Sequence, residues 1–345
     1  MEKRIGGKRT RAIEICLAVA VGFGCLAVVS SAHAARCFGQ HASIVGTIHD
    51  DRLVGTNSRD VIYAGRGNDQ IAGRGGPDLI CGGPGKDRPK GGIGLDRVGG
   101  GLGGDKLSGG KQADYLDGEE GNDKLKGDTG TDYVVGSDGG DVLHGDAPGT
   151  TSGGIDELYG GDGADQLYGD GGDDSELEGG DGRDVVDGGD GKDTVYPDAD
   201  STPDVYGGGP GIDTADLRYY RAAVSVSLDG VANDGVNCPQ QCEGDDFAGS
   251  LENLQGTYYG DHLTGNGNAN VIDARDGDNV VDGAGGGDII RADNGDDSLL
   301  GGAGDDALFG GYGNDSLNGG PDTDECHGEE GTDTGVNCET SFGIP

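Results

Sequence analysis

Tryptophan is absent from this 345-residue sequence, and phenylalanine occurs only 5 times. So poor a supply of large aromatics suits a disordered acidic polymer as well as a packed protein, and composition alone does not separate the two. Proline is scarce too, 10 residues against 78 glycines, and the glycines do not recur every third position. That excludes a collagen-like triple helix. Positive charge is outnumbered, 24 Lys and Arg against 64 Asp and Glu, for a net charge of -40. Residues 1–34 hold five Lys/Arg and two Glu, so the remainder carries about -43. A chain with that balance repels nucleic acid and anionic lipid and invites cations. Catalytic signatures are missing as well: there is no H-E-x-x-H, no G-x-S-x-G, no P-loop and no EF-hand loop.

What is present is a period. Aspartate recurs every nine residues at Asp51, Asp60, Asp69, Asp78, Asp87, Asp96, Asp105, Asp114, Asp123, Asp132 and Asp141. Residues 82–108 run GGPGKDRPK, GGIGLDRVG, GGLGGDKLS. Residues 145–216 continue with wider spacing, through Asp156, Asp165, Asp174, Asp184, Asp193, Asp204 and Asp213. A second block, 256–336, resumes with Asp261, Asn270, Asn279, Asp288, Asp297, Asp306, Asp315, Asp324 and Asp333. Two residues after the Asp or Asn the side chain is apolar in every one of these 27 units except at Pro89, Glu176 and Gly335. Disorder does not require such placement. Six glycine-rich residues make a turn, and three residues make a short strand whose middle side chain points inward. Two units complete a coil of 18 residues, so Asp51, Asp69 and Asp87 fall on one side and Asp60, Asp78 and Asp96 on the other. Coils stacked at roughly 4.8 Å would build an all-β parallel β-roll, about 65 Å long for 27 unbroken units.

The nonapeptide resembles the calcium-binding repeat of the secreted RTX proteins, the hemolysin-type repeat family, over most of residues 46–336. The resemblance implies a right-handed parallel β-roll that binds calcium. Elementary electrostatics leads the same way. Carboxylates stacked about 4.8 Å apart repel by roughly 1–3.5 kcal/mol per neighbouring pair, so a metal-free roll should be largely unfolded. A divalent ion between two turns of one side reverses that sign. Oxygen-only, flexible coordination favours Ca²⁺ over Mg²⁺. The candidate ligands are Asp69, Asp78, Asp87, Asp96, Asp105, Asp114, Asp123, Asp132, Asp141, Asp156, Asp165, Asp174, Asp184, Asp193, Asp213, Asp288, Asp297, Asp306, Asp315 and Asp324. The units GTIHDD at 46–51 and GTNSRD at 55–60 keep only the first glycine of the repeat and are expected to bind weakly or not at all. Asn270 and Asn279 keep an oxygen but lose its charge. Pro89 should distort its coil.

Residues 1–34 read as a secretory signal: Lys3, Arg4, Lys8, Arg9 and Arg11 precede an apolar run to about Val29, and Ala32-His33-Ala34 suits cleavage after Ala34. Cys37, Cys81, Cys238, Cys242, Cys326 and Cys338 then remain, an even number expected to pair in sequence order. Zinc at Cys238 and Cys242 is the weaker alternative. The expected organisation is a signal at 1–34, an N-terminal cap at 35–45, a first roll block at 46–216 (regular over 46–144), an insert at 217–255, a second block at 256–336 and a C-terminal cap at 337–345. The insert should contain a half-buried strand, because Val224, Val226 and Leu228 alternate with polar residues. At about 39 residues it is too small for an independent catalytic domain.

The sequence therefore reads as a secreted calcium-binding structural protein without catalysis, its partners being calcium ions and neither nucleic acid nor membrane. An adhesin or matrix protein stiffened by calcium, with a protein or glycan partner left open, is the second reading. A small hydrolase housed in the insert is the third. Outward-facing residues such as Tyr63, Lys90, Ser108 and Lys126 suggest a mixed surface with no continuous aromatic stripe.

Overall fold

A computed structural model describes residues 35–151, 153–236 and 243–344. The expected signal at 1–34 and the cysteines Cys238 and Cys242 lie outside them. The described residues contain no helix. Their strands form a sixteen-stranded, a ten-stranded and a seven-stranded sheet, with a two-stranded ribbon at Arg36–Cys37 and Gln40–His41. In the three larger sheets neighbouring strands are parallel, apart from the last strand of the seven-stranded one. Partners are one coil apart: Leu107 pairs with Leu125, and Leu116 with Val134. The chain is thus a parallel β-solenoid with 18 residues per regular coil.

The core follows from the alternation along each strand. Ile80, Val98, Leu116, Val134 and Leu158 line one inner wall, and Leu107, Leu125, Leu143 and Leu167 face them from the other. All are almost fully buried, so two columns of aliphatics make one continuous seam. Glu176 breaks the apolar rule because a residue is inserted there: Leu177 turns inward instead and pairs with Leu158 and Val195. Pro89 does not distort the coil as expected. It is buried in line with Ile71, and only the pairing of its own strand with the next begins late, at Lys90. Proline lacks the N–H but fits the extended backbone, so the defect stays local.

The insert changes one wall and leaves the other intact. Strand Thr214–Asp216 pairs with Asn253–Gln255, which pairs with Val271–Arg275, so the sixteen-stranded sheet runs without interruption from the first block into the second. Opposite it, the chain skips ahead to Val224–Ser227, which joins the second block's wall beside His262–Thr264. It turns back through the antiparallel strand Gly235–Val236, and Asp246–Phe247 then closes the first block's wall beside Val205–Gly207. The expected strand is there, with Val224, Val226 and Leu228 buried.

Parallel, in-register stacking also aligns the outward side chains, and the surface is not the unpatterned mixture expected. The Arg97 guanidinium lies 4.3 Å from the Phe38 ring centre and 4.4 Å from that of Tyr115. Tyr115 stacks on Tyr133 at 5.4 Å, and Tyr133 on Tyr159 at 5.0 Å. A second ladder runs Arg291, Phe309, His327, Phe342. These rings spend their faces on one another, which suits them to bracing the stack rather than to gripping a flat ligand. Disulfides Cys37–Cys81 and Cys326–Cys338 staple the two ends of the described solenoid.

Truncation of the seam should be costly in proportion to the cavity it leaves. Leu125→Ala is expected to destabilise the folded chain by about 2–5 kcal/mol, as read by denaturant unfolding in excess calcium. A loss below about 1 kcal/mol would mean that the seam is not close-packed.

Candidate metal centre

Each turn is built around one carboxylate that reaches along the stack. The Oδ1 of Asp69 accepts the backbone N–H of Asp51 at 2.7 Å, and Asp87 accepts that of Asp69 at the same distance. The pattern repeats along both sides, Asp78 to Asp96 to Asp114 to Asp132 on the other. It absorbs the irregular spacing too: Asp156 accepts from Asp132 across 24 residues, and Asp213 from Asp193 across 20. Where the nonapeptide fails, other acids take the same post. Asp245 of the insert accepts the Asp204 N–H, Glu252 that of Asp213, and Glu339 of the C-terminal segment that of Asp324. Glu252 was legible after the fact, standing nine residues before Asp261. Asp245 and Glu339 have no such signal.

The second oxygen is the informative one. In all twenty candidate ligands Oδ2 is buried and has no hydrogen-bond partner, and Asp333 shares that state. A buried, unpartnered carboxylate oxygen is expensive, and a single such atom would be a defect. Twenty-one in register are a column of candidate donors for a cation. Beside most of these Oδ2 atoms lies a carbonyl of the next coil. A β-carbon built on Gly100 would stand 2.7 Å from both the Asp105 Oδ2 and the Gly118 carbonyl oxygen; on Gly82 it would stand 2.5 Å from those of Asp87 and Gly100. Glycine is needed there because the two oxygens leave no room for a side-chain carbon. The donors are carboxylate and carbonyl oxygens only, with no nitrogen or sulfur, which fits a hard cation such as Ca²⁺.

The poorer units close on themselves instead. The Thr47 N–H and hydroxyl both donate to Oδ2 of Asp51, at 2.6 and 2.9 Å, and Thr56 does the same for Asp60 at 2.6 and 3.0 Å. Thr257 closes on Asp261, and the Asn266 N–H on Asn270. Thus each block opens with two turns that satisfy their own side chain. Asp204 is likewise occupied, by the Tyr206 hydroxyl at 3.1 Å. Asp198, Asp200 and Asp204 bring oxygens within 4.8 Å of one another, but Asp200 accepts from Gly182 and Thr202 backbone N–H groups.

Burial dominates the titration of these groups. It pushes Asp87 up to about 7 and Asp114, Asp156 and Asp193 to about 8; each is partly offset by the N–H it accepts and raised further by neighbouring carboxylates. A profile of the RTX calcium-binding nonapeptide repeat matches residues 45–80, 90–125, 99–134, 126–147, 150–175, 176–201, 255–290, 282–311 and 300–334, together more than half of the chain. The chain belongs to the RTX calcium-binding repeat family. No curated protein matches it. As an RTX repeat protein it binds calcium, and the unpartnered Asp oxygens with the turn carbonyls near them are oxygen donors suited to that ion.

Two outcomes follow for the metal-free RTX chain. An acid whose pKa is raised on folding favours the fold below its unfolded value and withdraws that support as pH rises through the folded value. With calcium chelated, β-structure should therefore be greater near pH 4 than at pH 8, lost progressively as pH rises across that range, by circular dichroism. A pH-independent spectrum would contradict the burial of these carboxylates. Gly100→Ala should lower calcium uptake, because its methyl group would stand 2.7 Å from both the Asp105 Oδ2 and the Gly118 carbonyl oxygen and push these donors aside. Gly75→Ala, whose β-carbon would meet nothing closer than 3.6 Å, should leave uptake unchanged. Equal uptake by the two variants, measured by calorimetric titration, would contradict the placement.

Proposed function

We propose that the protein is an extracellular, calcium-held structural module with no chemistry of its own, whose ions sit in the glycine turns. The ligands are the twenty aspartates from Asp69 to Asp324 named above, together with Asp333 and the turn carbonyls beside them. The register of buried, unpartnered Oδ2 atoms carries this reading. Calcium supplies charge neutralisation and oxygen coordination, and the chain supplies the donors: Oδ1 fixes each carboxylate to the preceding coil, and Oδ2 stays unpartnered near the turn carbonyls. Asp51, Asp60, Asp261 and Asn270 take no part, since their own turns satisfy them.

The extracellular placement draws support from the basic and apolar N-terminal sequence and from two disulfides, which persist in oxidising compartments. The absence of catalysis draws support from the missing enzyme motifs and the small insert. In this reading the chain crosses the membrane unfolded where calcium is scarce and folds outside where it is plentiful.

Counting ions tests the assignment. Equilibrium dialysis of residues 35–345 against millimolar calcium, followed by metal analysis, should find many ions per chain, and Asp105→Asn with Asp123→Asn should remove at least one. Asp51→Asn with Asp60→Asn should remove none. Saturation at one or two ions per chain, or equal losses in both pairs, would overturn it.

A further inference from the structure

We propose that the outer face of the ten-stranded sheet, over its first five coils, is a docking row for a linear acidic polysaccharide. Arg52, Gln70, Arg88, Lys106 and Lys124 hold the first outward position of consecutive strands, and Lys90 and Lys126 the third. In-register stacking sets neighbours one coil apart, so the row from Arg52 to Lys124 extends roughly 20 Å. Arg52, Arg88, Lys90, Lys106 and Lys124 are exposed, and among the described residues none of them forms an ion pair; Lys126 lies 3.8 Å from Asp128.

The row is not a general counterweight to the acidic turns. The first-position column continues as Val142, Gln166, Val185 and Val205 while the carboxylates go on undiminished. On the opposite sheet, the first five coils carry one cation at that position, Arg97, already held between Phe38 and Tyr115. Cations on one face, in a line, in a chain of net charge -40 call for an external anion.

The shape of the row selects the partner. No aromatic side chain stands in these two columns over the five coils, so there is no platform on which bases could stack. Val54, 39% exposed, is the one large apolar group there, too little to enter a lipid surface. Arginine forks bind carboxylate or sulfate in pairs of hydrogen bonds, while lysines act as point charges. Gln70 lies between them as a partner for hydroxyls, while the Ser108 hydroxyl already donates to Asp128. A polymer bearing one anionic group on each of successive sugars matches that row.

The proposal rests on the calcium-held fold of the preceding reading, so circular dichroism of residues 35–345 in calcium comes first; failure to fold there removes both. Binding is then measured calorimetrically with short oligogalacturonate and with a sulfated dextran oligomer, which separate carboxylate from sulfate. A neutral maltooligosaccharide, an oligothymidylate and phosphatidylcholine–phosphatidylserine vesicles are the other arms. Expected is salt-sensitive binding of at least one acidic oligosaccharide, weakened about tenfold or more by Arg88→Gln/Lys106→Gln/Lys124→Gln and unchanged by Arg183→Gln/Lys192→Gln, two exposed turn residues outside the row. These surface variants should keep the wild-type spectrum and calcium uptake. Three results would overturn the proposal: no acidic oligosaccharide bound at about 50 mM salt, equal binding by the triple variant, or tighter binding of the oligonucleotide or vesicles.

Discussion

The hydrogen bond from one aspartate's backbone N–H to the Oδ1 of the acid one coil later is the constraint on which the rest depends. It occupies half of each carboxylate, aims the other half at the turn of the neighbouring coil, and does so on both sides of the stack. The same bond that fixes spacing therefore buries a column of unpartnered charge. A fold organised in this way cannot be neutral about cations. Burial raises these carboxylates toward neutral pH, so near pH 7 the metal-free roll must either take up protons or lose packing.

Interruptions of the repeat show what the fold protects. Where spacing changes, the acid-to-backbone ladder survives by accepting across 19, 20 or 24 residues, and at the insert by recruiting Asp245 and Glu252. The inward aliphatic moves with it, from Glu176 to Leu177. Conversely, the start of each block does without an unpartnered oxygen, because threonine closes its first turn, and disulfides brace the first and last coils. Turns that stand on ordinary hydrogen bonds thus precede, in each block, those that carry unpartnered oxygens.

Most of this was legible in the sequence, because a fixed period translates directly into register. Nine-residue spacing gives two walls, and one aliphatic per unit, such as Leu107 or Leu116, gives the seam. What escaped was whatever depends on comparing residues 18 apart rather than 9. Tyr115 above Tyr133, and Arg88 two coils from Arg52, look scattered along the chain and become columns only when coils are stacked. Pro89 misled for the opposite reason, since a rule about hydrogen bonding says little about how well a side chain fits an inner wall. Asp245 and Glu339 could not be foreseen, as they reach the ladder from segments outside the period.

The most direct test of the central claim is far-UV circular dichroism of residues 35–345 at pH 7.5, first in chelator and then with calcium raised to millimolar levels. The account predicts a largely unfolded spectrum in chelator and a cooperative gain of β-structure as calcium is added. An equally folded β-spectrum in chelator, unchanged by calcium, would contradict it.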